Sequence, residues 1–144
     1  MRSYVVDASV ATRFLLEEDL MGEARAVLNG HVEGEFELTA PPIIVYEVGN
    51  SLRTATARKV VDPARAAEYF RFFLGMRLGR LPFDDADHDA ALGLSTSKGL
   101  SYYDGVYVWA SREAGLPLLT ADDRQYALAH GETEVIHLKD FERG

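Results

Sequence analysis

The sequence predicts an α/β fold, with one domain over residues 1–144 and a central parallel five-stranded sheet flanked by helices. Short apolar runs alternate along the chain with longer segments of helical periodicity. Strands that alternate with helices require right-handed crossovers, which give a parallel sheet covered on both faces. A chain of 144 residues with 47% hydrophobic content fills one core and is short for two.

Five strands are predicted, each a short apolar run near turn residues. In the first, Val5 and Val6 lead into Asp7, so a buried strand delivers a carboxylate to its carboxyl end. The other predicted strands cover residues 36–39, 79–83, 117–120 and 134–137. We expect the first strand to be central in the sheet, beside the strand that ends at Thr120.

Seven helices are predicted from apolar residues spaced three and four apart and from capping residues. They cover residues 10–16, 21–29, 42–59, 63–78, 84–98, 101–115 and 124–130. Ser9 is placed to cap the first helix, Asp62 caps the fourth, and Gly99 ends the fifth. In the third, Glu47 shares a helical stripe with apolar residues, and a carboxylate on the buried side of a helix requires an explanation.

The composition excludes several classes of chemistry. The chain has no cysteine, which rules out disulfides, thiolate metal sites and a cysteine nucleophile and fits a reducing cytoplasm. The formal charge of −8 argues against a broad basic surface for nucleic acid, but it is compatible with a site that a bound metal makes positive. With no signal-peptide pattern and no run of ~18 apolar residues, we expect a cytoplasmic protein without membrane contact.

Four carboxylates have a route to one cavity. Asp7 and Asp122 lie just beyond two strands, at the edge where the carboxyl ends of parallel strands meet. Glu47 lies two turns into the helix after the second strand, and Asp104 lies near the start of its helix. Carboxylates packed closely repel each other, so some must be protonated or a cation must compensate them. Mg²⁺ or Mn²⁺ is the natural cation, because both prefer oxygen ligands.

At these residues the sequence resembles the PIN-domain nucleases, and most closely the VapC-type toxins of prokaryotic toxin–antitoxin pairs. The stretches that carry the resemblance are VVDASV around Asp7, PPIIVYEVGNSLR around Glu47, LSYYDGVYVWAS around Asp104 and LLTADDR around Asp122. They occur in the family's order and span the whole chain. Each stretch is short, and the agreement of four independent positions makes the resemblance specific.

The resemblance implies a PIN-like fold and a Mg²⁺- or Mn²⁺-dependent endoribonuclease that acts as the toxin of its pair. The metal-binding and catalytic quartet that it implies is Asp7, Glu47, Asp104 and Asp122. Ser9 and Thr120 match hydroxyl positions beside the family's site, and Asn50 matches a polar position one helical turn from Glu47. The carboxylates would hold one or two ions that polarise the scissile phosphate and activate water.

The resemblance also implies macromolecular partners: an RNA substrate, a VapB-type antitoxin and a second copy of this chain in a homodimer. We expect the helices over residues 42–59 and 63–78 to form a groove for an antitoxin segment. Phe72 and the arginines of these helices motivate this hypothesis.

Two positions depart from the simplest match to the family. The doubled acid in TADDR leaves a choice between neighbours, and the Thr-x-Asp spacing favours Asp122 as the site residue, with Asp123 at the start of the last helix. Gly105 follows Asp104 where the family tends to have alanine, which slightly weakens the first turn of that helix.

Structural interpretations compete with these functional ones. Taken alone, Asp7 and Asp104 could cap helices. The acidic segment 84–89 resembles a metal cluster but is typical of a solvated first helical turn. His31, His130 and His137 are expected at the surface or at an edge. Tyr102 and Tyr103 are expected in the core, with stacking on a base near the site as the alternative.

Other functions also compete. A haloacid-dehalogenase-like phosphatase places an aspartate after its first strand, but it would require a second aspartate at the position of Ser9. A response-regulator receiver presents its acids on other strands than those used here. A non-catalytic PIN-fold interaction module is the alternative outside enzymology, and the presence of all four expected acids argues against it.

Overall fold

In the computed structural model, which describes residues 2–143, five parallel strands form one sheet. The strands are β1 (Arg2–Val6), β2 (Phe36–Ala40), β3 (Gly79–Arg80), β4 (Leu118–Thr120) and β5 (Val135–His137). Their order in space is β3-β2-β1-β4-β5, so β1 is central and pairs with β4, as predicted. Successive residues of a strand face opposite sides, and Val5 and Val6 are both fully buried, so β1 is covered on both faces.

Within residues 2–143, seven α-helices and one 3₁₀ helix connect or follow these strands. The helices are α1 (Ala8–Thr12), α2 (Met21–Val32), α3 (Ile43–Ala57), α4 (Pro63–Gly75), α5 (Asp85–Lys98), α6 (Tyr102–Ala114) and α7 (Asp123–Ala129), and the 3₁₀ helix covers Leu138–Asp140. None of them combines the length and apolar character that a membrane crossing requires. The α/β class with a parallel five-stranded sheet is confirmed.

The switch point of the sheet lies between β1 and β4. From β1 the chain crosses to β2 on one side, and the later strand β4 pairs with β1 on the other side. Where strand order reverses in this way, a crevice opens outside the carboxyl ends of the two strands. Asp7, which directly follows β1, lies at this crevice.

The first helix begins earlier than predicted and has a different cap. Asp7, rather than Ser9, is the N-cap of α1, and its side chain accepts the N–H of Val10. The helix then ends at Thr12, so residues 13–16 lie outside it. Serine and aspartate both suit an N-cap. The Ser9 hydroxyl instead donates to Asp7 Oδ1, after β1, and accepts the N–H of Ala121, after β4.

The third strand is shorter than predicted, with two residues instead of five. Pro82 lies inside the predicted stretch and has no N–H for a ladder hydrogen bond, which explains its early end. The predictions for Asp62 and Gly99 are confirmed: Asp62 caps α4, and Gly99 ends α5 in the left-handed conformation. Ser101, at the predicted start of the sixth helix, is the N-cap of α6.

The acidic segment at the start of α5 forms a capping box, which agrees with its interpretation as the solvated first turn of a helix. Asp84 accepts the N–H of Asp87, and Asp87 accepts the N–H of Asp84, each at 3.0 Å. Asp87 also accepts the indole N–H of Trp109. These carboxylates therefore serve the helix terminus and a tertiary contact.

A buried histidine and an exposed tyrosine test the predicted side-chain placements. His137, expected at the surface or at an edge, lies at the end of the edge strand β5, where it is 3% exposed and its Nε2 bonds to Asp123 at 2.8 Å. Tyr103, expected in the core, is 55% exposed, although it lies three and four residues before the buried Val106 and Tyr107.

Candidate functional site

Asp7 is the buried centre of the candidate site, with 3% of its surface exposed. Its Oδ1 accepts the Ser9 hydroxyl at 2.6 Å and the Val10 N–H at 3.2 Å, and its Oδ2 accepts the Thr120 hydroxyl at 2.5 Å. Burial raises the pKa of Asp7 to about 6, while these hydrogen bonds lower it and the charge of Asp104 raises it further. Asp7 therefore caps α1, and burial makes the ionised form of its carboxylate unfavourable.

Ser9 and Thr120 join the ends of β1 and β4 around this carboxylate. The Ser9 oxygen accepts the N–H of Ala121 at 2.9 Å, and Thr120 Oγ1 accepts the N–H of Asp122 at 3.0 Å. The two hydroxyl oxygens are 3.4 Å apart. Both hydroxyls singled out in the sequence thus contact Asp7 and fix its rotamer across the switch point.

Glu47 enters from α3 and is half-buried. The Tyr107 hydroxyl donates to its Oε1 at 2.6 Å. Burial raises the pKa of Glu47, the hydrogen bond from Tyr107 lowers it, and the charge of Asp104 raises it. The polar position on the apolar stripe of α3 is therefore a carboxylate held by a buried phenol.

Asp104 and Asp122 come from the first turn of α6 and the N-cap of α7. Asp104 is half-buried; burial raises its pKa first, and the charge of Asp122 raises it further. Asp122 is exposed, and its Oδ1 accepts the N–H of Gln125 at 2.9 Å. Its neighbour Asp123 begins α7 as predicted and accepts a hydrogen bond from His137 instead.

The four acids share one electrostatic environment without touching each other. The charge of Asp104 raises the pKa of both Asp7 and Glu47, and the charge of Asp122 raises that of Asp104. Within residues 2–143, no three acidic or histidine side chains are already gathered into a metal-binding group. Asn50 is exposed and lines the same cavity as Glu47.

Two residues of this site were missed in the sequence. Tyr107 follows Asp104 by three residues, so it lies on the same side of α6, and this spacing was the available signal. Gln125 is 1% exposed; its amide donates to the Asp104 carbonyl oxygen and its Oε1 lies 3.4 Å from Thr120 Oγ1. Nothing in the sequence indicates that Gln125 turns inward.

Fold and site together define a class: a parallel α/β protein with acidic side chains around the crevice at its switch point. The particular family is shown by sequence. A sequence model of the PIN domain matches residues 4–131, and the chain belongs to the PIN domain family. The predicted resemblance is confirmed at this level.

Known relatives agree with this membership. The chain is 28% identical over 93 residues to Exonuclease VapC9 of Pyrobaculum aerophilum, which covers 65% of this chain and 68% of the relative. A crystal structure from the same organism shares the fold with a TM-score of 0.74 at 23% identity, covering 96% of this chain and 92% of that one. DNA-bound VapBC of Salmonella typhimurium shares it with a TM-score of 0.68 at 14% identity, covering 96% and 99%.

Proposed function

We propose that this protein is a metal-dependent endoribonuclease that hydrolyses RNA phosphodiester bonds as the toxin of a toxin–antitoxin pair. The observation that carries the proposal is the buried Asp7, held by Ser9 and Thr120 at the switch point and within the field of Asp104. Membership of the PIN domain family supports a nuclease, and so does similarity to a relative whose name states an exonuclease. The activity is placed in the cytoplasm, which suits a chain without cysteine.

The donor chemistry fits Mg²⁺ or Mn²⁺. Burial and mutual repulsion raise the pKa of three of the four acids, and a divalent cation would reverse this effect by stabilising the ionised forms. The donors are all carboxylate oxygens, which hard cations prefer. The residues that would hold the ion are Asp7, Glu47, Asp104 and Asp122. When bound, the ion supplies a Lewis acid for the phosphate and lowers the pKa of a water.

The chain's own residues orient these ligands. Ser9 and Thr120 each donate a hydrogen bond to a different oxygen of Asp7, so the carboxylate cannot rotate freely. Tyr107 occupies one oxygen of Glu47 and leaves the other for a ligand. Because these acids are already ordered in the free protein, substrate binding does not have to order them.

A comparison of matched variants tests this activity. Asp7→Asn and Asp104→Asn should each abolish cleavage of single-stranded RNA in Mn²⁺ and weaken Mn²⁺ binding measured by calorimetry. Asp89→Asn, which changes an exposed acid in α5, should alter neither. Unchanged Mn²⁺ affinity and unchanged cleavage in both site variants would overturn the proposal.

The type of cleavage needs its own experiment, because the similar VapC9 is named an exonuclease. A circular single-stranded RNA has no ends, so only an endonuclease can open it. We expect this protein to linearise such a circle in the presence of Mn²⁺. An intact circle alongside degraded linear RNA of the same sequence would identify an exonuclease instead.

We also propose that an antitoxin segment occupies the groove between α3 and α4. A cavity of about 490 Å³ lies there, with mainly apolar walls from both helices. Phe70 lines it and Arg53 stands at its wall, whereas Phe72, which helped to motivate the hypothesis, is not among its lining residues and is 51% exposed. Several structural neighbours are complexes of the VapBC type, which supports a partner on this fold.

The groove proposal is tested with the polypeptide encoded immediately beside this chain's gene. Ala67→Glu places a charged side chain in the groove and should abolish co-purification, while Phe72→Ala should preserve it. Equal recovery of both complexes would show that the antitoxin binds elsewhere. A homodimer is proposed as well, and light scattering should give twice the chain mass of 16.0 kDa.

A further inference from the structure

We infer that the cavity beside Glu47 is a subsite for one unpaired nucleobase of the substrate strand, an inference that rests on the proposed nuclease function. The cavity has a volume of about 510 Å³, within the range of about 300–1,000 Å³ typical of small-molecule sites. Its lining residues are Ile43, Tyr46, Glu47, Asn50, Ser51 and Tyr103. It therefore opens directly beside one proposed site carboxylate.

Two exposed aromatic rings from different helices line this cavity. Tyr46 of α3 is 76% exposed and Tyr103 of α6 is 55% exposed, although large aromatic side chains usually bury most of their surface. Exposed aromatic rings in a groove provide stacking platforms for single-stranded nucleic acid, because every base has a π-face. A base held within a duplex is already stacked and paired, so the platform suits an unpaired base.

The charge of the lining favours the base over the phosphate. Among the described lining residues there is no lysine or arginine, and Glu47 is the one ionisable carboxylate. A phosphate would be repelled there, whereas a neutral base would not. The amide of Asn50 offers both donors and an acceptor, which is the chemistry that reads the edge of a base.

The sequence positions of the two tyrosines connect base binding to the reaction. Tyr46 directly precedes Glu47, and Tyr103 directly precedes Asp104. A base stacked on these rings would hold its own phosphate within reach of the neighbouring carboxylates and their cation. The subsite would thus position the scissile nucleotide rather than only increase affinity.

The test uses a fluorescein-labelled single-stranded oligonucleotide, as RNA and as DNA, with Ca²⁺ in place of Mn²⁺ so that binding is measured without turnover. Tyr46→Ala and Tyr103→Ala should each weaken binding by about 5- to 100-fold, the loss of one base stack. Tyr46→Phe and Tyr103→Phe should retain affinity, and Phe72→Ala, an exposed aromatic outside the cavity, should match wild type. Thermal unfolding of every variant verifies that it is folded.

A second arm identifies the base itself. An abasic nucleotide at the occupied position should weaken binding to wild type by the same factor as each tyrosine-to-alanine substitution. It should weaken binding to the alanine variants little further. Equal losses with RNA and DNA would show recognition of the base alone, and a larger loss with RNA would add its ribose. The inference is overturned if the alanine variants bind like wild type, if duplex RNA competes as well as single strands, or if wild type binds no single strand. Tyrosine-dependent binding without cleavage in Mn²⁺ would retain the subsite and refute the nuclease.

Discussion

Replacing Asp7 by asparagine should stabilise the metal-free protein while it destroys activity. The pKa of Asp7 is raised from 3.8 to about 6 in the fold, which corresponds to about 3 kcal/mol between the two protonation states. Because the folded state keeps its proton in this interval and the unfolded chain does not, stability falls as the pH rises from 3.8 to about 6 and stays reduced above it.

Asparagine resembles the protonated acid and escapes this loss. Its amide nitrogen can donate to Thr120 Oγ1, which in turn can donate to Gln125 Oε1, 3.4 Å away. Its oxygen keeps the Ser9 and Val10 donors. At pH 8, Asp7→Asn should therefore gain up to about 3 kcal/mol, which corresponds to up to about 10 °C in Tm for a chain of this size.

The assay is thermal unfolding followed by circular dichroism in EDTA at pH 4 and pH 8. The gain from Asp7→Asn should be near zero at pH 4 and full at pH 8, and Asp89→Asn, at an exposed position, serves as the control. Added Mn²⁺ should raise the Tm of wild type and leave Asp7→Asn unchanged. A variant that is no more stable than wild type at pH 8, or a gain equal at both pH values, would refute the reasoning.

Three further predictions test the supporting residues. Tyr107→Phe removes the hydrogen bond that lowers the Glu47 pKa, so the acidic limb of the pH profile of kcat/KM should move to higher pH; an unmoved limb would contradict this. In Gly105→Ala the new Cβ would overlap Ser95 Oγ, so urea unfolding should show a loss of about 1–3 kcal/mol that adding Ser95→Ala reduces; purely additive losses would disprove the contact. Asp84→Ala should cost about 1 kcal/mol through the lost cap and leave RNA cleavage unchanged, whereas reduced cleavage would indicate a functional role.

Local patterns were enough to predict most of the fold. Buried strands are apolar on both faces, so β1 and β4 stand out in sequence, and the caps at Asp62 and Gly99 follow from residue type alone. The errors lie where a tertiary contact decides between two local options. Ser9 and Asp7 are both good N-caps, and only the bonds of Ser9 to the end of β4 assign the cap to Asp7.

In the candidate site too, residues marked by a local pattern could be predicted from the sequence, and their distant partners could not. Glu47 stands out because it interrupts an apolar stripe, and this pattern is local to α3. Its partner Tyr107 lies 60 residues away, and no local pattern specifies that contact. The unusual Gly105 has a similar explanation, because Ser95, on the packed helix α5, fills the space that a methyl group would need.

Two unfavourable placements occur at the same edge of the sheet, and a bound nucleotide would relieve both. Asp7 and Glu47 have carboxylates whose pKa burial raises, and Tyr46 and Tyr103 expose large aromatic rings beside them. Neither arrangement stabilises the isolated fold, and conflicts of this kind are expected where function outweighs stability. A cation would compensate the acids and a stacked base would cover the rings, and each tyrosine directly precedes an acid of the quartet. Phosphate chemistry and base recognition therefore belong to a single substrate site, in which the base bound at the rings determines which phosphate reaches the acids.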